Sequence, residues 1–177
     1  MKQNNLLITI VCSDKPGLIS AVTGILYELG LNLGDTTFST LGEGAEFGAI
    51  CESPADLPAE ELAEQLKALE HLKGAEVTVR PFGYATTHKA SDGITHHVIL
   101  QGRDQPGLIA RMTEVFADYE ANIVRMDSKK LSEGSEARYL IQLWAAIPES
   151  RAEACLATVT NTAAVLDMQS NWVAVDD

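Results

Sequence analysis

A chain of 177 residues that is 46% hydrophobic and 21% charged can build one large core or two small ones, and its formal net charge of −12 sets it against a phosphate backbone. No apolar run approaches the ~20 residues of a membrane-spanning helix, and Met1–Asn5 leads into a strand-like run without a secretory-signal pattern. Cys12, Cys51 and Cys155 are widely spaced and form no C-x-x-C, so they read as small buried hydrophobes in a reducing cytoplasm. No membrane partner and no direct nucleic-acid partner is expected.

Taken in order, Leu6–Val11 is an apolar, β-branched run and a predicted buried strand. Asp14-Lys15-Pro16-Gly17-Leu18-Ile19 then opens a helix whose Leu18, Val22, Ile25, Leu26 and Leu29 share a face, and Gly30 ends it. Asn32 to Leu41 is extended, Gly42-Glu43-Gly44 is a hairpin turn, and Ala45–Glu52 is the return strand. Leu57–Lys73 reads as a second helix with Leu62, Leu66, Leu69 and Leu72 on one stripe and Gly74 as its stop. Glu76–Arg80 alternates as a final strand. Residues 82–94, rich in turn formers, read as a linker, with Phe82 and Tyr84 packing on a domain.

The second half repeats this order ninety positions on, from Asp104-Gln105-Pro106-Gly107-Leu108-Ile109. His97–Leu100 is a strand, and Leu108, Met112, Val115, Phe116 and Tyr119 repeat the buried face of the first helix. Asn122–Leu131, a turn over 132–135 and Arg138–Ala146 form the hairpin. A helix follows Pro148 with Ala152, Cys155, Leu156 and Val159, and Val165–Val175 is extended to the end. The fold class is therefore α+β. It comprises two βαββαβ domains, 1–81 and 95–177, each a ferredoxin-like antiparallel four-stranded sheet with its helices on one face.

The twice-used Asp-x-Pro-Gly-Leu carries the functional signal. Exposed amides at a helix start suit a carboxylate, an acidic or Asn oxygen suits an ammonium, and glycine permits close backbone approach. A free amino acid presents both groups. Two plainer readings stay open: Asp14 and Asp104 as helix N-caps, and Asn32 and Asn122 as left-handed turn residues after the helix.

In these motifs, and in Gly30-Leu31-Asn32-Leu33 and Glu120-Ala121-Asn122-Ile123, the chain resembles the ACT domain family of small-molecule sensors. The resemblance covers everything but the linker. It implies a ligand held between paired domains by Asp14, Gly17, Leu18 and Asn32, and by Asp104, Gly107, Leu108 and Asn122. It further implies an amino-acid-sensing regulator without cofactor, with glycine or serine foremost as ligand. The regulator would act on a protein partner such as a transcription factor and would associate as a homodimer. The alternative is a docking module with no small-molecule ligand.

An enzyme is not expected. Adjacent His96 and His97 in a strand point to opposite faces, His71 and His88 lack partner spacing, and Gly42-Glu43-Gly44 sits in a hairpin rather than a dinucleotide loop. The strands opening at Asn32 and Asn122 are expected to be sheet edges without a guarding proline or lysine run. They are the surfaces along which domains or chains would pair.

Overall fold

The computed structural model describes residues 4–54, 57–87, 93–133 and 136–175. The chain divides into two compact units, Met1–Thr87 and His88–Asp177.

In the first unit β1 (Asn4–Ser13) is followed by α1 (Leu18–Glu28), β2 (Asn32–Leu41), β3 (Gly44–Ser53), α2 (Ala59–Lys67) and β4 (Glu76–Pro81). The strands pair antiparallel in the order β2-β3-β1-β4. Strand period puts Leu6, Ile8 and Ile10 of β1 and Phe47, Ala49 and Cys51 of β3 on one face. Helical period brings Leu18, Val22 and Leu26 of α1 and Leu62 and Leu66 of α2 down onto them, and all are buried. Truncating one such Leu or Ile to Ala costs about 2–5 kcal/mol through lost burial and a residual cavity. Among the described residues of this unit, both helices pack on this one face.

The second unit repeats this build. β5 (His96–Arg103), α3 (Leu108–Asp118), β6 (Asn122–Glu133), β7 (Glu136–Ala146), α4 (Ala152–Val165) and β8 (Met168–Ala174) form a sheet of order β6-β7-β5-β8. Val98, Leu100, Leu108, Met112, Phe116, Ile141, Leu143 and Val159 form its buried centre.

Several elements differ from the sequence reading. The helix expected over 57–73 is shorter, because the residue before a proline avoids the helical region. Leu57 therefore stays outside, Pro58 caps, and α2 ends at Lys67. Leu69 is extended at φ −66°, ψ 132°, and a separate 3₁₀ turn, Glu70–Leu72, returns Leu72 to the core. The helix of the last segment runs through Val165 where extended chain was expected. Asp167 then takes a left-handed φ of 52° and turns the chain into β8. β5 is longer than His97–Leu100, and β6 extends to Glu133, so Ser132 and Glu133 belong to the strand. Gly134 and Ser135 of the expected turn lie outside the described residues. β2 and β6 are edge strands. The unguarded edge holds for β2 only, since β6 carries Arg125, Lys129 and Lys130.

Candidate functional site

The repeated Asp-x-Pro-Gly-Leu is a turn ahead of the helix. Leu18 N–H donates to the Lys15 carbonyl at 3.2 Å, and Gly17 sits at φ 85°, ψ −4°. Proline in the second place and a left-handed residue in the third define a type II turn, which demands glycine there. Gly107 repeats the conformation at φ 85°, ψ 2°. Glycine is thus the residue at the helix boundary, and no side chain caps either helix. The N-cap reading of Asp14 and Asp104 is overturned: the turn places the acid three residues ahead of the cap. The left-handed reading of Asn32 and Asn122 falls as well. The positive φ after each first helix belongs to Gly30 (75°) and Glu120 (55°), and both asparagines already lie in strands.

The two first turns differ in chemistry. In unit 2, Asp104 Oδ2 accepts from Lys130 Nζ at 2.7 Å. That hydrogen bond, then the carboxylate charge, raises the lysine pKa above its ordinary 10.5. Gln105 Nε2 donates to the Leu166 carbonyl at 2.6 Å, which ties the turn to the end of α4. Asp104, Gly107, Leu108, Lys130 and Tyr139 share a cavity of about 180 Å³. In unit 1, Thr40 faces Ala45 where Lys130 faces Tyr139, so the cation and the ring are both missing. There His71 approaches instead, its Nε2 lying 3.4 Å from the place a Gly17 Cβ would occupy.

Asn32 lies at the other end of the sheet. It pairs with Glu52, which pairs in turn with Asn5 near the start of β1, whereas the first turn follows Ser13 at the end of that strand. Eight residues at ~3.3 Å each separate the two by roughly 26 Å. Neither unit by itself brings its asparagine to its first turn. Asn32 instead lines a cavity of about 190 Å³ with Gly34, Asp35, Ile50, Glu52 and Thr86. A bulge between Leu33 and Thr36 sets Gly34 and Asp35 opposite Ile50 alone. That extra residue re-aims the strand and lets Asn32 and Asp35 serve one face. Unit 2 has the same bulge, between Ile123 and Arg125, but Asn122 faces Ala146.

The sequence reading missed Asp35, Glu52, Thr86, Lys130 and Tyr139. A larger cavity of about 600 Å³, lined by His96, Leu156 and Trp172 among others, lies on the helix side of unit 2 and takes in none of the expected site residues. His96 and His97 do point apart, one against Trp172 and the other against Trp144. Among the described residues no three His, Cys, Asp or Glu side chains gather as a metal set, and no helix is long and apolar enough to cross a membrane.

A tandem of ferredoxin-like units, each with a Pro-Gly turn into the first helix and an asparagine opening a bulged edge strand, is the build of an ACT-domain protein. The ACT domain profile matches residues 6–71. The glycine cleavage system transcriptional repressor of Escherichia coli K12 is 30% identical over 152 residues, which are 84% of this chain and 77% of that protein. The chain therefore belongs to the ACT domain family, as a relative of the glycine cleavage system transcriptional repressors. Two solved structures share the fold over their whole length. A protein of unknown function from Galdieria sulphuraria has a TM-score of 0.76 at 16% identity, with 99% of this chain and 100% of that one covered. A candidate glycine cleavage system transcriptional repressor has a TM-score of 0.70 at 17% identity, with 100% of each chain covered.

Proposed function

We propose that this chain is an amino-acid-sensing regulator that binds glycine or serine and acts by contact with a protein partner, a transcription factor in the first instance. The observation that carries the reading is the repressor relationship, which spans both repeats. The geometry supports it chemically. Each repeat offers helix-start amides beside a glycine turn, suited to a carboxylate, and a strand-opening asparagine suited to an ammonium. The charge of −12 favours contact with a protein over contact with DNA.

Since the two halves of the recognition chemistry stand at opposite ends of a unit, a complete site needs a second domain. β2 is an edge strand, and an unpaired edge is a template for another chain. Antiparallel pairing of two β2 edges from two copies brings the asparagine end of one beside the first-turn end of the other. The ligand then links association to occupancy, because it contacts both partners. A thermal-shift screen of the twenty amino acids tests the reading, and glycine or serine should raise Tm. If no amino acid at millimolar concentration does so, the ligand-free docking function replaces it.

A further inference from the structure

The last strand of each unit is a sheet edge, and the two edges are protected differently. β4 pairs with β1 as β8 pairs with β5, so Glu76, Thr78, Val79, Arg80 and Pro81 correspond to Gln169, Asn171, Trp172, Val173 and Ala174. Charges, prolines and bulges keep an edge from pairing with another chain. β4 has two charges and a proline. β8 has no charged residue and no proline from Met168 to Ala174, and its register with β5 is unbroken. The remaining edges are both bulged and charged, by Asp35 on β2 and by Arg125, Asp127, Lys129 and Lys130 on β6.

The backbone of β8 is aimed outward as well. Val175 N–H donates to the Thr95 carbonyl at 2.8 Å. By antiparallel alternation the odd-numbered residues of β8 bond β5, while Ser170, Trp172 and Ala174 turn their amides and carbonyls away from it. Trp172 N–H is held by its neighbour's side chain, with Asn171 Oδ1 accepting at 2.9 Å where a further strand's carbonyl would stand. In unit 1 the same alternation, set by Phe82 N–H on the Asn5 carbonyl at 2.8 Å, puts Pro81 in an outward place, where it has no N–H to offer.

The surface around this edge is apolar. Trp172, Val173 and Val175 are 43%, 54% and 38% exposed. Thr158 of α4 bonds Tyr119 of α3 at 2.7 Å, so the other flank of α4 is turned away from α3. Between that flank and Trp172 lies the cavity of about 600 Å³, lined by Leu156 and Ala157 with Glu153 as its single acid. The partner that fits is a second copy of this chain. Each copy has a net charge of −12, so two copies meet most easily where neither brings a charged strand to the contact. An uncharged antiparallel edge is also its own complement about a two-fold axis.

We infer that two copies of this chain associate without ligand by antiparallel pairing of their β8 strands, centred on Trp172. Ser170 of each copy then stands opposite Ala174 of the other, the two sheets continue as one, and both indoles close over the grooves beside α4. This contact is separate from the ligand-linked β2 contact proposed above and does not rest on amino-acid binding.

Sedimentation equilibrium of the full chain with no amino acid present tests it between about 1 and 100 µM, the range of a modest contact. Wild type should be a dimer at the upper end. Val173→Arg combined with Ala174→Pro, which gives β8 the protection of β4, should weaken the dimer at least about tenfold. Amide exchange of wild type reads the same contact without substitution: the Ser170 and Ala174 amides should be protected more strongly as concentration rises. A wild type that stays monomeric at about 100 µM overturns the inference. So does a dimer that is equally tight in the double variant, or exchange at Ser170 and Ala174 that ignores concentration.

Discussion

Gly102 and Cys12 occupy equivalent places in the two repeats, and exchanging the glycine tests why they differ. An added Cβ at Gly102 would lie 2.7 Å from the Asp167 carbonyl oxygen, 2.8 Å from Met168 Cγ and 2.9 Å from Met168 Cα. Two of those atoms are backbone and cannot swing aside. In unit 2 the β5–β8 ladder continues to the pair Gly102 and Met168, whereas in unit 1 the β1–β4 ladder stops at Val11 and Glu76, one residue short of Cys12. Gly102→Ala therefore forces β8 away from β5. Overpacking of this kind costs about 1–3 kcal/mol. At about 4–8 °C per kcal/mol for a domain of this size, the melting of unit 2 should fall by roughly 4–24 °C. Differential scanning calorimetry reads it directly. Gly24→Ala is the control: it lies inside α1, and nothing within 4 Å opposes its Cβ. It should raise Tm by a few degrees through helix propensity, about 0.5–1 kcal/mol. If Gly102→Ala melts within about 2 °C of wild type, the close-approach argument is wrong.

Other outcomes follow from named groups. Burial pushes the Cys51 thiol up to about 11 and raises those of Cys155 and Cys12. A disulfide reagent at pH near 8 should then label the partly exposed Cys12 first, with Cys51 and Cys155 silent until denaturant is added. His96 titrates below its ordinary 6.5 because burial disfavours the imidazolium. The unfolded chain therefore takes up that proton first. The stability the group contributes is complete above pH 6.5 and lost as pH falls past that value, and His96→Gln should flatten this part of the stability profile. NMR titration of Lys130 should give a pKa above 10.5 that returns towards it in Asp104→Asn. The Lys130 contribution is present below 10.5 and lost as pH rises through the raised value.

Much of the fold was legible because it rests on short-range patterns. The apolar period of α1 and α3, the ninety-residue repeat and the strand-opening asparagines all survive in the structure. The misreadings came where local chemistry competes with a period. Leu57 stands at the expected start of the second helix and Leu69 on its apolar stripe, yet Pro58 bars the first from the helix and an extended backbone removes the second. The asparagine neighbours were hidden by the bulge. Counting back from the hairpin turn, with Leu41 opposite Gly44, an unbroken ladder pairs Asn32 with Ser53. The extra residue between Leu33 and Thr36 shifts the pairing by one and brings in Glu52. No residue type announces that bulge beyond Gly34, so the acid beside the asparagine could not be read in advance. Lys130 was within reach of the same counting, because the register of β6 and β7 past the bulge is unbroken from Arg125 to Glu133.

The central claim is that a free amino acid binds this protein through the asparagine end of unit 1. Side-by-side calorimetric titrations of wild type and Asn32→Ala with glycine and serine test it most directly. Wild type should release heat with at least one of them. Asn32→Ala should lose that binding while its ligand-free melting stays within about 0.5 kcal/mol of wild type, as befits an exposed polar truncation. Equal affinities in the two proteins would contradict the account.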